Sequence, residues 1–338
     1  MRSALKTRTL GKTGPAVSAL GHGAMGMSDF YGPADQAESI ATLKSALDQG
    51  ITLIDTGDFY GSGHNELLVG EALRGRPRDE VVVSVKFGAL RDPRGGFIGN
   101  DLRPAAIKNF LSYSLRRLNT DHIDVYRPAR IPPGTNVEEV VGTLAELVKA
   151  GHIRHIGLSE VGAETLRRAA AVHPIVDLQI EYSLVSRGIE ADILPTARRL
   201  GIGITAYGVL SRGLLSGHWT QDRALSRGDF RSFSPRFRGA NLEKNLGLVD
   251  ALREVARRKG ITVAQAAIAW VLSRGEDIVP LIGARTRERL DEALGALEVT
   301  LTAPDLEEIA RAVPPEAVAG TRYPEPAMAD LDSELGRV

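Results

Sequence analysis

The chain has 338 residues, of which 43% are hydrophobic and 25% charged, so it can bury the core of one large globular domain. Forty-two basic residues balance 42 acidic ones, which excludes a global field that would draw the protein to nucleic acid or to an anionic membrane. The absence of cysteine excludes disulfides, thiolate nucleophiles and cysteine-based metal sites.

The N-terminal sequence MRSALKTRTLGKTG has a basic start without the apolar stretch of a signal peptide, and no apolar run is long enough to span a bilayer. We therefore expect a cytoplasmic protein with neither a membrane nor a nucleic-acid partner. The nearest pair of the 7 histidines, His152 and His155, has no carboxylate at ligand spacing, so no metal site is expected.

From residue 34 onward, segments with helical periodicity alternate with short β-branched runs. Ile40, Leu43 and Leu47, for example, form one apolar stripe that ends at Gly50 before a strand-like run. The pattern predicts eight parallel strands, at 20–24, 51–54, 81–85, 123–125, 153–156, 175–180, 202–207 and 278–282.

Eight strands joined by helices form either a closed barrel or a doubly wound sheet. The dinucleotide fingerprint of a doubly wound sheet needs a helix at its third glycine, but GHGAMG at 21–26 is followed by a loop. We therefore predict an α/β fold, a single (β/α)8 TIM barrel domain over 1–338 with an N-terminal β-hairpin. Segment 211–245 is expected to form a long loop after strand 7, and the tail beyond Pro314 to cover the barrel mouth.

Polar residues end the second and third predicted strands, at the end of a barrel where enzymes place their active sites. ITLIDTGDFYG puts Asp55 at a strand tip and Tyr60 in the loop beyond it, and VVVSVKFG ends near Lys86. A buried ammonium needs a carboxylate partner, which Asp55 can supply. Because a nearby cation stabilises phenolate, we predict a lowered pKa for Tyr60 and a proton-transfer site made of these three residues. Each alone also fits a capping, snorkelling or packing role.

Seven motifs, in order along nearly the whole chain, carry a resemblance to the aldo-keto reductase superfamily. They are RTLGKTGPAVSALGHGAMG, DTGDFYGSGHNELLVGEAL, VKFG, SLRRLNTDHIDVY, GHIRHIGLSE, DLQIEYSL and IGARTRERLDEAL. The resemblance implies NADPH-dependent reduction of aldehydes or ketones, with Tyr60 as general acid, Lys86 as the modulator of its pKa and Asp55 as the partner of Lys86. The family's fourth tetrad residue, a histidine, is replaced by Ala129, and Arg127 or a water molecule is a candidate to fill the space.

The resemblance also implies a cofactor site. Ser159, Glu160 and Gln179 stand where the family holds the nicotinamide carboxamide, and Tyr207 stands where an aromatic ring stacks on the nicotinamide. Glu160 replaces the usual asparagine, so it can accept a hydrogen bond from the carboxamide but cannot donate one unless protonated. The predicted cofactor-binding residues are Gly23, Met25, Ser159, Glu160, Gln179, Tyr207, Gly208, Leu210, Arg212, Gly213, Gly283, Arg285, Arg289 and Glu292.

The segment IGARTRERLDEAL predicts a phosphate site, because it leaves a strand end and enters a helix whose free N–H groups favour anions. The resemblance assigns Arg285 and Arg289 to the 2′-phosphate of NADPH and Glu292 to the adenine. A solvated, charged helix face is the alternative interpretation.

The loops beyond the strand ends are expected to shape the substrate pocket. Phe30, Tyr31 and Ala129 are the predicted substrate-binding residues, and Phe97 and Trp219 lie in the same loops. Carbonyl reduction of a small molecule is the leading hypothesis. An NADPH-binding sensor subunit with little turnover is a second, because Ala129 replaces the tetrad histidine, and an unrelated barrel hydrolase or isomerase is a third. The sequence leaves open whether the protein forms a homo-oligomer.

Overall fold

The computed structural model describes residues 5–28, 30–226 and 228–335. Within them, eight parallel strands close into a barrel, and two antiparallel strand pairs lie outside it. The strands are β1 Thr7–Thr9, β2 Ala16–Ser18, β3 Gly21–Gly23, β4 Leu53–Gly57, β5 Val82–Phe87, β6 Ala89–Arg91, β7 Phe97–Asn100, β8 Ile123–Pro128, β9 Ile153–Ser159, β10 Ile175–Glu181, β11 Gly203–Tyr207 and β12 Ile278–Ile282. The barrel contains β3, β4, β5, β8, β9, β10, β11 and β12, each beside the next in chain order. The predicted (β/α)8 TIM barrel and its N-terminal hairpin, β1 with β2, are confirmed.

Helices connect the barrel strands and pack around them. They are α1 Gln36–Asp48, α2 His64–Leu73, α3 Pro104–Leu118, α4 Val137–Lys149, α5 Ala163–Val172, α6 Ile193–Leu200, α7 Gly239–Arg258, α8 Val263–Leu272, α9 Arg287–Leu294, α10 Ala303–Ala312 and α11 Glu325–Ala329. Helix α4 illustrates the local logic: the Asn136 side chain caps its first turn, and Val137, Val140 and Leu144 form the buried stripe.

The N-terminal hairpin closes one end of the barrel. Leu53 and Leu281 point into the barrel, where they pack with Leu10 and Val17 of the hairpin segment. The hairpin docks against the chain just before β11, where the N–H of Lys12 donates to the carbonyl of Gly201 at 2.8 Å. Only the opposite end, at the carboxyl ends of the strands, remains for a site.

Two segments expected to be loops contain regular structure. Helix α7 begins at Gly239, so the long loop ends there and not at Asn245 as predicted. Asn245 is buried and donates to the carbonyl of Ala319 at 2.9 Å, so contact with the C-terminal tail stabilises a helical turn that the local sequence does not signal. The loop beyond the third barrel strand, which contains Phe97, holds the antiparallel pair β6 and β7.

All eight predicted strands coincide with observed ones, but several extend further than their apolar runs. Strand β8, for example, ends at Pro128 although the apolar pattern ends at 125. The additional residues include polar ones, such as Asp55, Lys86 and Ser159, and lie at the barrel mouth, where backbone pairing continues after the hydrophobic signal stops. Within the described residues, no helix is both long and apolar enough to cross a membrane.

His22 is a completely buried residue of β3, and neither of its ring nitrogens has a hydrogen-bond partner among the described residues. Burial lowers the pKa of His22 from 6.5 to about 4. As the pH falls, the unfolded chain takes up a proton near 6.5 while the folded protein does so only near 4. The unfolded state therefore binds more protons in this window, and stability falls with pH across it.

Between pH 6.5 and pH 4, His22 should lower the free energy of unfolding of the wild type by about 3 kcal/mol. We expect His22→Leu to lack this part of the acid destabilisation. Urea unfolding at pH steps across this range measures the effect. The control is His152→Leu, which replaces an exposed histidine. Equal losses in the wild type and in His22→Leu would show that His22 does not set the acid sensitivity.

Candidate active site

A buried network of charged and amide groups occupies the barrel mouth. The Lys86 ammonium donates to a carboxylate oxygen of Asp55 and, at 2.9 Å, to the amide oxygen of Gln179. The Gln179 amide and the Ser84 hydroxyl donate to the second Asp55 oxygen at 2.8 and 2.9 Å. Because β10 lies opposite β4 in the barrel, Gln179 reaches across the barrel axis to this pair. Every member is buried, so the lysine charge is compensated by protein groups.

A second ion pair lies deeper in the barrel. Arg127 Nη1 is 3.0 Å from Asp177 Oδ2, its Nη2 donates to Ser84 at 2.9 Å, and both charged side chains are completely buried. Gly157 provides the room, since a Cβ at this position would lie 2.5 Å from an oxygen of Asp177. Arg127 is therefore engaged inside the barrel and does not fill the space of the missing histidine.

Tyr60 is held beside Lys86 by an aromatic wall. The Lys86 Nζ lies 5.2 Å from the centroid of the Tyr60 ring. Phe59 and Phe30 meet this ring edge-on, with centroid separations of 4.7 and 6.0 Å. Gly57 lets the ring lie close to the strand, because a Cβ at this position would approach the tyrosine ring to 3.2 Å. The structure thus brings the predicted Asp55, Tyr60 and Lys86 together.

The electrostatics of this trio differ from the expectation. Burial raises the pKa of the Tyr60 hydroxyl well above its usual value, and the negative charge of Asp55 adds to the rise. Burial also lowers the pKa of Lys86, against the opposing charge of Asp55. The predicted lowering of the Tyr60 pKa is therefore wrong, because Asp55 compensates the lysine and burial dominates. A raised pKa keeps the phenol protonated, which is the form that a proton donor requires.

Ala129 stands where the resemblance places a histidine. It is 2% exposed and packs in an apolar cluster with Phe59 and Tyr60. The following residue, Arg130, carries its guanidinium to the barrel mouth, where Nη1 donates to the Ala129 carbonyl at 2.6 Å and Nη2 to the Tyr323 hydroxyl at 3.5 Å. A methyl group and a neighbouring cation thus replace the imidazole.

Glu160 is engaged by the protein itself. One of its oxygens accepts from the Tyr207 hydroxyl at 2.8 Å and from the backbone N–H of Glu181 at 3.0 Å, while the other accepts from Arg322 at 2.8 Å and from Ser333 at 2.6 Å. Burial raises the pKa of Glu160, but the charge and hydrogen bonds of Arg322 outweigh it and hold the pKa far below its usual range. The residue has φ of 53°, a left-handed conformation that these contacts hold in place. The Glu160 carboxylate therefore holds together the segments that carry these partners.

Arg322 fastens the C-terminal tail over the barrel mouth, as the sequence predicted for this tail. Its guanidinium lies 2.8 Å from Glu160, 3.4 Å from Glu181 and 2.6 Å from Glu334. Burial lowers the pKa of Arg322, but the charges of Glu160 and Glu181 reverse this and raise it well above its usual value. The tail and the strand ends form one charged cluster.

Glu181 joins the loop after β11 to the same cluster. Arg212 and Arg236 approach it to 3.2 and 3.3 Å, and the Ser186 hydroxyl donates to it at 2.6 Å. Glu181 is 2% exposed, so these partners supply the compensation that a buried carboxylate requires.

Tyr207 and Tyr323 border this cluster. Their hydroxyl oxygens are 2.9 Å apart, and the Arg212 guanidinium lies 4.6 Å from the centroid of the Tyr323 ring. Burial raises the pKa of Tyr207 well above its usual value, and the charge of Glu160 adds to the rise. The tail therefore places a tyrosine beside the residue predicted to stack on nicotinamide.

Other predicted cofactor residues also lie at the strand ends. Gly23 pairs in register with Asp55, and Met25 begins a short 3₁₀ turn and packs near the Tyr60 cluster. Ser159 ends β9, and its buried hydroxyl has no partner among the described residues. The turn after β11 contains Gly208, Leu210, Arg212 and Gly213.

The predicted phosphate site lies between β12 and α9. Arg285 donates to the backbone carbonyls of Tyr31, at 2.9 Å, and Pro33, and it makes no ion pair with a carboxylate in the described parts of the chain. Arg289 and Glu292 pair with each other at 2.9 Å. Of the two arginines predicted to bind phosphate, Arg285 is therefore the one whose charge no carboxylate of the described residues balances.

The predicted substrate residues are divided between two environments. Phe30 stacks on Phe97 with a centroid separation of 6.0 Å, and both lie on the side of the mouth near Tyr60. The Tyr31 ring lies 5.0 Å from the guanidinium carbon of Arg231. Trp219 is 5% exposed and packs against Phe237 at 4.7 Å, so it belongs to the core of the long loop and not to a pocket wall.

Comparison with known proteins decides the family. The model of the Aldo/keto reductase family matches residues 19–314. The chain belongs to this family. It is therefore an oxidoreductase of a family that acts on carbonyl compounds with nicotinamide cofactors, and the hypothesis of an unrelated barrel hydrolase or isomerase is wrong.

Relatives with known names and structures span almost the whole aldo/keto reductase chain. Probable aldo-keto reductase 1 of Glycine max is 41% identical over 317 residues, which cover 93% of this chain and 90% of that protein. The glycerol dehydrogenase of Gluconobacter oxydans superposes with a TM-score of 0.82 at 31% identity, covering 93% of this chain and 97% of that one. An aldo-keto reductase of Bacillus halodurans in its holo form gives a TM-score of 0.76 at 27% identity, over 92% and 97% of the two chains.

Sequence reasoning missed the charged cluster that closes the mouth of this aldo/keto reductase. Arg322 and Tyr323 lie in the tail motif GTRYPEPAM, which the sequence places over the mouth without indicating which charges hold it there. The available signal was the pair Glu160 and Glu181, because each ends an apolar strand and a carboxylate buried there needs cations.

Arg322→Ala is expected to lower the free energy of unfolding by about 3–5 kcal/mol, because it leaves the buried Glu160 carboxylate without its ion-pair partner. Urea unfolding provides the measurement. Arg311→Ala is the control, since Arg311 is 71% exposed and lies 3.9 Å from its partner Glu307.

The double variant Glu160→Gln with Arg322→Ala should lose less stability than the sum of the two single losses, because the charge that needs compensation is gone as well. Strict additivity would contradict a direct coupling between the two residues.

Proposed function

We propose that the protein reduces aldehydes or ketones to alcohols with NADPH, Tyr60 being the general acid. The observation that carries the proposal is the buried contact of Tyr60 with the Lys86–Asp55 ion pair at the barrel mouth. Burying a lysine costs several kcal/mol unless a partner compensates it, and here the compensated ammonium lies beside a phenol. This arrangement suits proton transfer at that mouth.

The residues present fit a nicotinamide cofactor. The buried hydroxyl of Ser159 lacks a protein partner where the carboxamide is expected, and Arg285 carries a charge that no carboxylate of the described residues balances. Gly283 leaves open space, since an added Cβ would meet no atom nearer than 3.9 Å. Ser159, Arg285 and the turn after β11 would therefore hold the cofactor. When bound, NADPH supplies the hydride for the carbonyl carbon.

The protein's own residues manage the proton. Tyr60, kept protonated by its raised pKa, donates its proton to the carbonyl oxygen as negative charge develops there. The Lys86 ammonium near the ring stabilises the phenolate that remains, and Asp55 and Gln179 hold the ammonium in place. In the reverse direction, alcohol oxidation, the same groups accept the proton from the alcohol.

A second candidate is an NADPH-binding sensor subunit with little turnover. The observation in its favour is the apolar packing of Ala129 against Tyr60, because a histidine at this position would donate a hydrogen bond to the carbonyl. Tight NADPH binding without consumption of NADPH against a panel of aldehydes and ketones would support this candidate over the reductase.

Tyr60→Phe should lower carbonyl reduction by about 10²–10⁴-fold and leave NADPH affinity unchanged, because only the proton donor is removed. Steady-state kinetics and fluorescence titration measure the two quantities separately. Tyr113→Phe, which changes a tyrosine that is 51% exposed, is the matched control. Retention of most of the turnover by Tyr60→Phe would refute the assigned role.

NADPH should bind at least about tenfold more tightly than NADH, because charge-assisted contacts to a phosphate contribute about 1.5–3 kcal/mol. Arg285→Ala should abolish this preference while leaving NADH affinity unchanged. Arg287→Ala is the control, since Arg287 begins the same helix but pairs with Glu38 at 2.8 Å. Equal affinities in the wild type would remove the 2′-phosphate assignment.

A further inference from the structure

The arginines at the barrel mouth differ in how their charges are compensated. Arg212 and Arg236 pair with Glu181, and Arg322 pairs with Glu160, Glu181 and Glu334. These three cations therefore face three carboxylates. Arg130, a further arginine of this mouth, makes no ion pair with any carboxylate of the described residues. Burial lowers the Arg130 pKa, but Tyr323, Tyr207 and the charge of Glu160 reverse this and raise it, and Glu160 is already engaged by Arg322.

Arg130 is held in place by neutral groups. One N–H donates to the Ala129 carbonyl at 2.6 Å and another to the Tyr323 hydroxyl at 3.5 Å, so two of the five donors of a guanidinium are used. The side chain is only partly buried, which leaves it accessible from the mouth. A planar guanidinium with free donors is suited to bind a carboxylate or a phosphate through two parallel hydrogen bonds.

The position of Arg130 connects it to the reacting end of the site. Ala129, whose carbonyl it binds, packs on Tyr60, and Tyr323, its other partner, lies 2.9 Å from Tyr207. Burial raises the pKa of Tyr60, and Arg130 is the cation that acts most strongly against this rise. Position 129 contributes only a methyl group to the surroundings of the phenol.

We propose that Arg130, positioned by Tyr323 of the tail, binds an anionic group of the substrate, so that the enzyme selects carbonyl compounds bearing a carboxylate or a phosphate. This inference rests on the proposed reductase function. The Lys86–Asp55 and Arg127–Asp177 pairs cannot bind a negatively charged substrate group, because in each pair the cation is already neutralised by its carboxylate. Arg130 can bind such a group at the barrel mouth. Arg130 is then a residue that determines specificity, and Tyr60 remains the proton donor.

Matched substrate pairs test the proposal with the NADPH-loaded enzyme. One pair is 4-formylbenzoate and its methyl ester, and the other is glyceraldehyde 3-phosphate and glyceraldehyde. The wild type should prefer the anionic member of at least one pair by about tenfold or more in kcat/KM, mainly through KM. The pair with the larger preference identifies carboxylate or phosphate as the recognised anion.

Arg130→Gln should abolish this preference, lowering kcat/KM about tenfold or more further for the anionic member of a pair than for its neutral partner, because the contact to the anion is removed. Arg130→Lys should retain part of the preference, since it keeps the charge but loses the planar fork. Arg116→Gln on the exposed face of α3 is the control and should behave as the wild type. A wild type without preference, or an Arg130→Gln variant that keeps it, would overturn the proposal.

Failure of the reductase hypothesis is separable from failure of this one. If the wild type reduces neither member of either pair nor any compound of the aldehyde and ketone panel, the proposed function is wrong, and calorimetric titration with benzoate and with inorganic phosphate then tests the anion site. Binding that is present in the wild type and lost in Arg130→Gln supports the anion site. Equal binding by both proteins, or none by either, refutes it.

Discussion

The need to compensate charge inside a barrel dominates this structure. A closed parallel barrel surrounds its axis with apolar strands, so each ionised group that points inward must find its counter-charge within the protein. Asp55 with Lys86, and Asp177 with Arg127, meet this requirement in successive layers. The Asp55–Lys86 pair sets the orientation of the lysine. Because the lysine lies beside Tyr60, the pair also sets the surroundings of the phenol.

The same requirement acts at the rim, with different consequences. Glu160 follows β9 and Glu181 ends the neighbouring β10, and their cations come from the loop after β11 and from the tail. Side-chain contacts thereby fix two largely irregular segments to the barrel. The contacts of Tyr207 with Glu160 and with Tyr323 of the tail form one wall of the mouth.

The sequence predicts those features of the structure that depend on residues close to one another in the chain. Apolar periodicity is local, and it located all eight barrel strands and the strand tips at Asp55 and Lys86. The engagement of Glu160 by Arg322 depends on residues 162 positions apart, which no local pattern reveals. The direction of the Tyr60 pKa shift was also beyond reach, because it depends on the balance between burial and two opposite charges in three dimensions. The start of α7 depends likewise on the distant contact of Asn245 with the tail.

The Glu160–Arg322 contact also bears on how sequences of this family diverge. A neutral residue at position 160 would leave Arg322 with less compensation, and a neutral residue at position 322 would leave Glu160 buried without a cation. Either single change is destabilising, whereas the double change removes both members of the contact and costs less than the two single losses together. We therefore expect a change at one of these positions among relatives to be accompanied by a change at the other, which would couple a strand end to a distant tail.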